Sequence, residues 1–302
     1  MARSAEPQGD LPQSFDLAVY QSHPHNRDLA KLSAAEAEHH YAFYGRAEGR
    51  PASVITHRQT FLALVPQDAE VLEIGPGDHP AFPDRDPPVW TLDVFTTEEL
   101  RQRAKAPEMV PNIDAVWRGE PYQQLLKQQF NAVVGMASLD HQPCLTTHLT
   151  FVSTVLKPGG RYFVALPDRR YGPDHFQPDS TLADVLDAFA QRRMRHSARS
   201  LAAPLFQGTH DDAARHWAGD HGPPPEARPP ETQHARAMAD ILRQVRGADA
   251  YQDARAWQFT PESFQWLLNR MAQYGLSPFR VERLYPTVKP WGEFYAVLRI
   301  AA

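Results

Sequence analysis

A glycine-containing turn directly after an apolar segment is the first feature of this sequence that could perform chemistry. Residues 71–77 read Val-Leu-Glu-Ile-Gly-Pro-Gly, so one acidic residue, Glu73, lies within the apolar run that Gly75 and Gly77 follow. Glycine has no Cβ atom, and a turn built from it lets backbone N–H groups face a ligand at the carboxyl end of a strand. The segment therefore predicts a binding loop for a nucleotide-type cofactor.

A nicotinamide dinucleotide enzyme is the main competing interpretation of this turn. The dinucleotide-binding pattern requires a third glycine three residues after the second, because helix and strand must pack closely there. That position is Pro80, which also has no N–H to offer to a pyrophosphate. The sequence therefore disfavours dinucleotide binding.

Alternating strand and helix patterns surround the turn. We expect strands at 70–74, 89–94, 113–117, 132–136, 161–166, 279–285 and 293–300, with helices at 56–64, 145–156 and from residue 261 towards Gly275. This spacing predicts an α/β fold with a doubly wound, mostly parallel seven-stranded sheet and helices on both faces. Ligands of such sheets bind outside the carboxyl ends of the strands, where the glycine turn lies.

The order of these segments resembles that of the class I S-adenosylmethionine-dependent methyltransferases, which have a Rossmann-like fold. The residues that carry the resemblance are Val71–Gly77, Trp90–Asp93, Phe130–Val134 and Leu156–Val164. The resemblance implies that S-adenosylmethionine is the cofactor and that the last strand runs antiparallel to its neighbours.

The resemblance also implies cofactor-binding roles for individual residues. Gly75 and Gly77 would approach the methionyl part, and Glu73 would act on its ammonium group through water or backbone. Asp93, at the end of the second strand, would accept hydrogen bonds from both ribose hydroxyls. As plainer alternatives, Glu73 could be a solvated strand residue and Asp93 a helix cap.

An acidic residue after the third strand usually contacts the adenine in this family. Asp114 and Glu120 are the two candidates here, and Glu120 is favoured.

The loop after the fourth strand supplies the candidate catalytic residues. Ser138–Pro143 matches the family's apolar-Glu-His-x-Pro segment, with Asp140 in place of the usual glutamate and Ala137 at a position that often holds histidine. By this match Asp140 belongs to the cofactor site and His141 faces the transferred methyl. A hydroxyl acceptor needs a base, and histidine titrates near neutrality. We therefore predict His141 as general base, with His175 as second candidate; alternatively, His141 only hydrogen-bonds the cofactor or the loop backbone.

A long insertion separates the fifth strand from the last helix. Residues 167–257 are too many for a connector, so we expect a lid that binds the substrate. Its start, Pro167–Tyr171, and the stretch Trp257–Pro261 resemble a subgroup of methyltransferases from bacterial polysaccharide gene clusters. The predicted organisation is a helical segment at 1–50 and a methyltransferase domain at 51–302 that contains the insertion.

Histidines and aspartates concentrate within this insertion. The group has ligand types suited to a divalent metal and comprises His210, Asp211, Asp212, His216, Asp220 and His221. A spacing of five between His216 and His221 is loose for one helical face, so the sequence favours a polar lid segment without metal. At the start of the insertion, Arg169 and Arg170 could clamp a carboxylate or phosphate, or belong to a solvated loop.

Residues 15–50 predict a separate helical element. Ser33 and Glu36 have the spacing of a capping box, and Gly45 suits a helix end. The stretch from His40-Tyr41 to Gly45–Arg50 resembles a small helical module found beside bacterial glycosyltransferase and methyltransferase domains. We expect a packing or docking element, with a glycosyltransferase or a second copy of the chain as possible partner.

Composition excludes several classes of function. The 302 residues carry a net charge of −5 and no long basic run, which argues against nucleic acid binding. No apolar run of about 18 residues predicts a membrane span, and the start lacks a signal-peptide core, so we expect a cytoplasmic protein. Cys144 is the only cysteine, which excludes an internal disulfide.

Together these patterns predict a methyltransferase that acts on a small or medium polar acceptor. O-methylation of a sugar or saccharide precursor is the first expectation. The alternatives are a natural-product or peptide methyltransferase that modifies nitrogen or a carboxylate oxygen, and a cofactor-binding module without transfer activity.

Overall fold

A seven-stranded sheet forms the centre of the protein. The structure is a computed structural model, and it describes residues 11–227, 233–245 and 251–301. The strands are β1 (Val71–Ile74), β2 (Trp90–Asp93), β3 (Ala115–Val116), β4 (Phe130–Met136), β5 (Leu156–Pro167), β6 (Phe279–Tyr285) and β7 (Glu293–Ile300). Their order across the sheet is β3-β2-β1-β4-β5-β7-β6.

The sheet is mostly parallel, as the sequence predicts. Strand β1 pairs in parallel with β2 and β4, and the parallel pairing continues to β3 on one side and to β5 on the other. Strand β7 is antiparallel to both β5 and β6. The chain winds outwards in one direction from β1 and in the other from β4, so the topological switch point lies between these two strands.

Strands β3 and β5 differ most from the predicted strands. Strand β3 is only two residues long, and β5 begins at Leu156 rather than at residue 161. The register along β4 shows why, because Phe130 pairs with Leu156 while Ala132 pairs with Arg161. Residues 157–160, which separate the predicted helix from the predicted strand, are therefore an irregularity within β5.

Helices cover the sheet and form most of the regular structure outside it. They are α1 (Leu17–Ser22), α2 (Ala34–His40), α3 (Arg58–Leu62), α4 (Thr97–Arg103), α5 (Tyr122–Leu125), α6 (Leu145–Val155), α7 (Leu182–Ala190), α8 (Ala198–Gln207), α9 (Ala213–Trp217), α10 (Gln233–Val245) and α11 (Pro261–Gln273). Helix α11 begins as predicted, with Thr260 as the N-cap and proline at its first position. No helix among the described residues is long and apolar enough to cross a membrane.

Both faces of the sheet are buried. Leu72 and Val133 belong to the larger core cluster, which also contains apolar residues of α6 and α11. Val71 and Val134 belong to the opposite cluster, where Phe61 of α3 stacks on Tyr295 at 4.9 Å. Burial on both sides explains why these strands are continuously apolar rather than alternating.

The segment before residue 51 forms a small core of its own. Tyr20, Leu29, Ala37 and Tyr41 are buried together, and the predicted capping box between Ser33 and Glu36 is present. The backbone N–H of residue 289 donates to the carbonyl of residue 49 at 3.0 Å, which links the segment to the rest of the chain. Its docking role and the domain division stay predictions.

The end of the insertion is fastened to the loop after β4. The backbone N–H of Ala256 donates to the carbonyl of Asp140 at 2.8 Å, and the indole N–H of Trp257 donates to the carbonyl of Gln142 at 2.6 Å. Trp257 is almost completely buried. These contacts hold residues 251–255 beside the carboxyl ends of the central strands.

Candidate functional site

A cleft of about 190 Å³ lies at the carboxyl ends of β1, β2 and β4. The glycine turn, the end of β2 and the loop after β4 contribute to it, together with two residues of the insertion. Its lining consists of Ile74, Gly75, Gly77, Leu92, Asp93, Val94, Phe95, Leu100, Trp117, Tyr122, Ala137, Ser138, His141, Gln142, Tyr251 and Asp253. The cleft is adjacent to the topological switch point, where ligands of such sheets bind.

The glycine turn has the backbone conformation that its sequence predicts. Gly75 and Gly77 have φ angles of 70° and 55°, in the left-handed region that side chains disfavour. A Cβ atom on Gly75 would come within 2.9 Å of the Cβ of Ser138. A Cβ on Gly77 would meet no described atom within 4 Å. Gly75 therefore allows the loop to pack, while Gly77 leaves space open.

Asp93 lies at the end of β2 and lines the same cleft. One carboxylate oxygen accepts a hydrogen bond from the backbone N–H of Phe95 at 2.9 Å. Burial raises the pKa of Asp93 to about 6. Backbone hydrogen bonds oppose this increase, and the charge of Asp253 adds to it. Asp93 is therefore mostly ionised at neutral pH and can accept hydrogen bonds from a ligand.

Glu73 lies within β1, behind the cleft rather than in its lining. Its side chain is buried, and Oε1 accepts a hydrogen bond from the backbone N–H of Ala81 at 2.8 Å. Burial raises the pKa of Glu73 to about 7, although this bond and the charge of Arg58 oppose the increase. The carboxyl group thus fixes the segment after the glycine turn, and its predicted action on the cofactor's ammonium group stays a prediction.

The two acidic candidates for adenine contact also point elsewhere. The carboxylate of Glu120 accepts from the backbone N–H of Arg118 at 2.9 Å, and that of Asp114 accepts from the N–H of Thr91 at 2.8 Å. Asp114 thereby links the segment before β3 to β2. The side chain that reaches the cleft from this region is Trp117. Glu120 as an adenine ligand stays a prediction.

His141 lines the cleft and lies between two carboxylates. Its Nδ1 is 2.9 Å from Oδ2 of Asp253, and its Nε2 is 3.7 Å from Oδ2 of Asp140. Burial alone would lower the pKa of His141, but the charge of Asp140 and the hydrogen bond and charge of Asp253 outweigh it and raise the pKa to about 9. In this arrangement His141 is protonated at neutral pH.

A chain of charges continues from His141 away from the cleft. Asp140 is almost completely buried, and neither of its carboxylate oxygens has a hydrogen-bond partner among the described residues. Nε of Arg255 lies 3.4 Å from Asp140, and the same guanidinium lies 3.3 Å from Asp174. The carboxylate of Asp140 therefore compensates the charges of His141 and Arg255, and its predicted contact with the cofactor stays untested.

Tyr251 and Asp253 reach the cleft from the insertion, and sequence reasoning missed both. The hydroxyl of Tyr251 is 2.9 Å from Nε2 of His196, and its ring meets that of Phe95 edge-on at 6.0 Å. Their nearness to the Trp257–Pro261 stretch was the one available signal, because no periodic pattern links them to the strands.

The second base candidate, His175, lies outside the cleft lining. Its Nδ1 donates to the carbonyl oxygen of Arg170 at 2.8 Å, and its ring stacks on His221 at 3.8 Å. The neighbouring guanidinium groups have internal partners: Arg170 binds both carboxylate oxygens of Asp168, and Arg169 binds Asp179 at 2.8 Å. The structure thus separates His175 from His141.

The sheet order, with an antiparallel last strand, defines the Rossmann-like fold of the class I methyltransferases. No protein-family model matches the chain, and no curated protein sequence matches it either.

Several solved structures are similar to this chain at low sequence identity. The chain is similar to mitomycin 7-O-methyltransferase MmcR, with 14% identity and a TM-score of 0.39 over 96% of this chain and 62% of that one. The chain is also similar to glycopeptide N-methyltransferase MtfA, with 15% identity and a TM-score of 0.39 over 92% of this chain and 98% of that one. A third similar structure is an S-adenosylmethionine-dependent methyltransferase from Clostridium acetobutylicum ATCC 824, with 9% identity and a TM-score of 0.40 over 89% of this chain and 99% of that one. The chain spans less than two thirds of the length of MmcR.

Proposed function

We propose that this protein is an S-adenosylmethionine-dependent methyltransferase that acts on a small or medium polar acceptor. The observation that carries this proposal is the meeting of Gly75, Gly77 and Asp93 in one cleft at the switch point of the sheet. A turn without Cβ atoms and a carboxylate one strand away fit a nucleoside that carries an amino-acid tail and a sugar diol.

Each cleft residue has a proposed task in holding this cofactor. Backbone groups of Gly75 and Gly77 face the methionyl part, and the carboxylate of Asp93 accepts from the ribose hydroxyls. Phe95 and Trp117 offer flat apolar surfaces suited to adenine. When bound, S-adenosylmethionine supplies a methyl group on positively charged sulfur, so the protein has to align the acceptor and remove its proton.

His141 is our candidate for removing that proton, and its surroundings make the proposal specific. Asp253 orients the imidazole through Nδ1, as the carboxylate does in a catalytic His-Asp pair. With a pKa of about 9, roughly one His141 in 100 is unprotonated at pH 7. Transfer to a hydroxyl through His141 should therefore accelerate as the pH rises towards 9.

O-methylation of a sugar or saccharide precursor is the first candidate reaction. The two insertion residues that line the cleft, Tyr251 and Asp253, are polar and suited to binding hydroxyl groups. The resemblance of the insertion to that of polysaccharide-cluster methyltransferases favours the same acceptor class.

Two other functions stay open to test. The first is transfer to a natural-product or peptide acceptor that presents nitrogen or a carboxylate, since such a group needs no strong base. A binding module without transfer is the second, because carboxylates lie beside both ring nitrogens of His141.

Methyl transfer from labelled cofactor to a panel of saccharides, amines and carboxylates tests the proposal. We expect a labelled saccharide product at a rate that rises up to about pH 9, and a loss of about 100-fold or more in His141→Ala. Exposed Asp68 lies in the loop before β1, so Asp68→Asn serves as the matched control and should retain full activity. Cofactor binding without any labelled product would favour the binding module, and normal turnover by His141→Ala would refute the base assignment.

A further inference from the structure

Three histidines of the insertion form a compact cluster outside the cleft. They are His175, His216 and His221, and one nitrogen of each lies within 4.8 Å of the others. We infer that this histidine cluster is a binding site for a divalent transition-metal ion. Only His216 and His221 belong to the polar group that the sequence singled out, and His175 joins them from a segment about forty residues away.

Backbone carbonyls fix which ring nitrogens of the cluster can bind a cation. A carbonyl oxygen can only accept, so the nitrogen facing it must carry the proton. Nε2 of His216 lies 3.1 Å from the carbonyl of His210, and Nδ1 of His175 lies 2.8 Å from that of Arg170. The lone pairs of His216 Nδ1 and His175 Nε2 are therefore available. Histidine ligands of metals are typically oriented by such a hydrogen bond from the second nitrogen.

His221 faces His216 directly. Nδ1 of His216 and Nδ1 of His221 are 2.9 Å apart, so without a metal one proton lies between them. A metal can replace this proton when His221 shifts to its other neutral tautomer, with the proton passing to Nε2 through solvent. No net charge is lost from the protein in this exchange.

The separations are close to those that a metal requires. A tetrahedral ion at about 2.1 Å from each nitrogen sets the nitrogens about 3.4 Å apart. The two Nδ1 atoms of His216 and His221, 2.9 Å apart, have to separate slightly, and one nitrogen of His175 lies within 4.8 Å of the other two histidines. Because the rings of His175 and His221 stack at 3.8 Å and 12°, the ring of His175 must also tilt about its Nδ1 hydrogen bond to the carbonyl of Arg170 before Nε2 can point at the ion. His175 is only half buried, which leaves it room to do so.

Contacts outside the cluster hold its two segments together. The ring of Trp217 stacks on Tyr171 at 3.7 Å and 15°. Asp212 caps α9 by accepting from the N–H of Arg215 at 3.1 Å, which fixes the helix that carries buried His216. The three imidazoles are thus brought together by the fold before any ion binds.

The donor set selects the kind of ion. Imidazole nitrogen suits Zn²⁺, Cu²⁺, Ni²⁺ and Fe²⁺, whereas Mg²⁺ prefers oxygen. Two aspartates of the polar group have other partners, since Asp212 caps α9 and Asp220 pairs with Arg215 at 2.8 Å. Three protein nitrogens leave a fourth position for water or another ligand.

Zinc titration of the full-length protein tests the inference independently of any methyl transfer. We expect one zinc per chain at the tightest site, with three nitrogen ligands by X-ray absorption. His216→Ala and His221→Ala should each weaken binding by about 100-fold or more. Circular dichroism without zinc checks that each variant folds, and half-buried His221 provides the test if His216→Ala does not fold.

His210→Ala is the matched control for these variants. The ring of His210 stacks on His216 at 4.2 Å, and its Nε2 donates to the carbonyl of Asp220 at 3.0 Å, but the ring is not one of the three proposed ligands. Alanine retains the backbone carbonyl of residue 210 that orients His216. We expect this variant to bind zinc within about threefold of wild type. Absence of a stoichiometric zinc site, unchanged affinity in His221→Ala, or an equal loss in His210→Ala would each overturn the inference. Cofactor affinity measured on the same samples separates this outcome from failure of the proposed function.

Discussion

Replacing Asp253 by asparagine tests how the insertion controls His141. The side chain of asparagine has nearly the same shape, and its oxygen can still accept from Nδ1, but it carries no charge. The present arrangement joins Nδ1 of His141 to Asp253 at 2.9 Å, while Asp140 lies 3.7 Å from Nε2. The variant therefore removes one of two charges that favour the imidazolium ion and leaves the other.

The size of the effect follows from the pKa of His141. The two carboxylates raise it from 6.5 to about 9 against the opposing effect of burial. A single opposite charge at contact distance accounts for about 1–3 pKa units, so Asp253→Asn should lower the pKa by about 1–2 units. Neutral His141 would then be about ten times or more abundant at pH 7.

Nuclear magnetic resonance of the imidazole ring measures this pKa directly across pH 5 to 10. Asp187 is exposed on α7 and pairs with Arg193, so Asp187→Asn removes the same charge without touching His141. This control should leave the titration unchanged. An ordinary histidine titration in the wild type, or an identical midpoint in Asp253→Asn, would refute the electrostatic account of the cleft.

Four further variants test the turn and the core. Gly77→Ala should lower the unfolding free energy by about 1–2 kcal/mol, measured by denaturant unfolding, and weaken cofactor binding, measured by calorimetry. Gly75→Ala should destabilise the protein more, because its Cβ atom also clashes with Ser138. Normal cofactor affinity in Gly77→Ala would contradict the role given to the turn. Burial raises the pKa of Glu73 from 4.5 to about 7, so the stability contributed by the protonated carboxyl group is lost as the pH rises through 7. The change in unfolding free energy caused by Glu73→Gln should therefore be more stabilising at pH 8 than at pH 5, by up to about 3 kcal/mol. An equal change at both pH values would be inconsistent with a neutral buried carboxyl group. Tyr162→Phe removes the hydroxyl that lies 3.0 Å from Nε2 of buried His148. It should lower the unfolding free energy, measured with urea, by about 1–3 kcal/mol. An unchanged urea midpoint would argue against this hydrogen bond.

The strand pattern and the glycine turn could be predicted because both depend on neighbouring residues. Mostly apolar segments of four to seven residues mark β1, β2 and β4, and Gly75 and Gly77 mark the turn that follows β1. The place of Asp93 follows as well, since the carboxyl ends of parallel strands share one edge of the sheet. These local signals were sufficient to locate the cleft.

Side-chain directions and long-range contacts could not be predicted in the same way. Glu73 and Glu120 occupy expected positions along the chain, but backbone N–H groups nearby bind their carboxylates. Asp253 comes to His141 from 112 residues away through an insertion with no repeating pattern. His175 likewise meets His221 only because the insertion folds back on itself. Contacts of this kind depend on tertiary packing rather than on sequence period.

Calorimetric titration of the wild-type protein with S-adenosylmethionine and with its demethylated product tests the central claim most directly. The account predicts saturable binding of both ligands at one site per chain. Asp93→Ala, which removes two hydrogen bonds to a charged acceptor, should weaken both by about 100-fold, while Asp68→Asn should bind like the wild type. Absence of binding by the wild type, or unchanged affinity in Asp93→Ala, would contradict the claim that this cleft holds the cofactor.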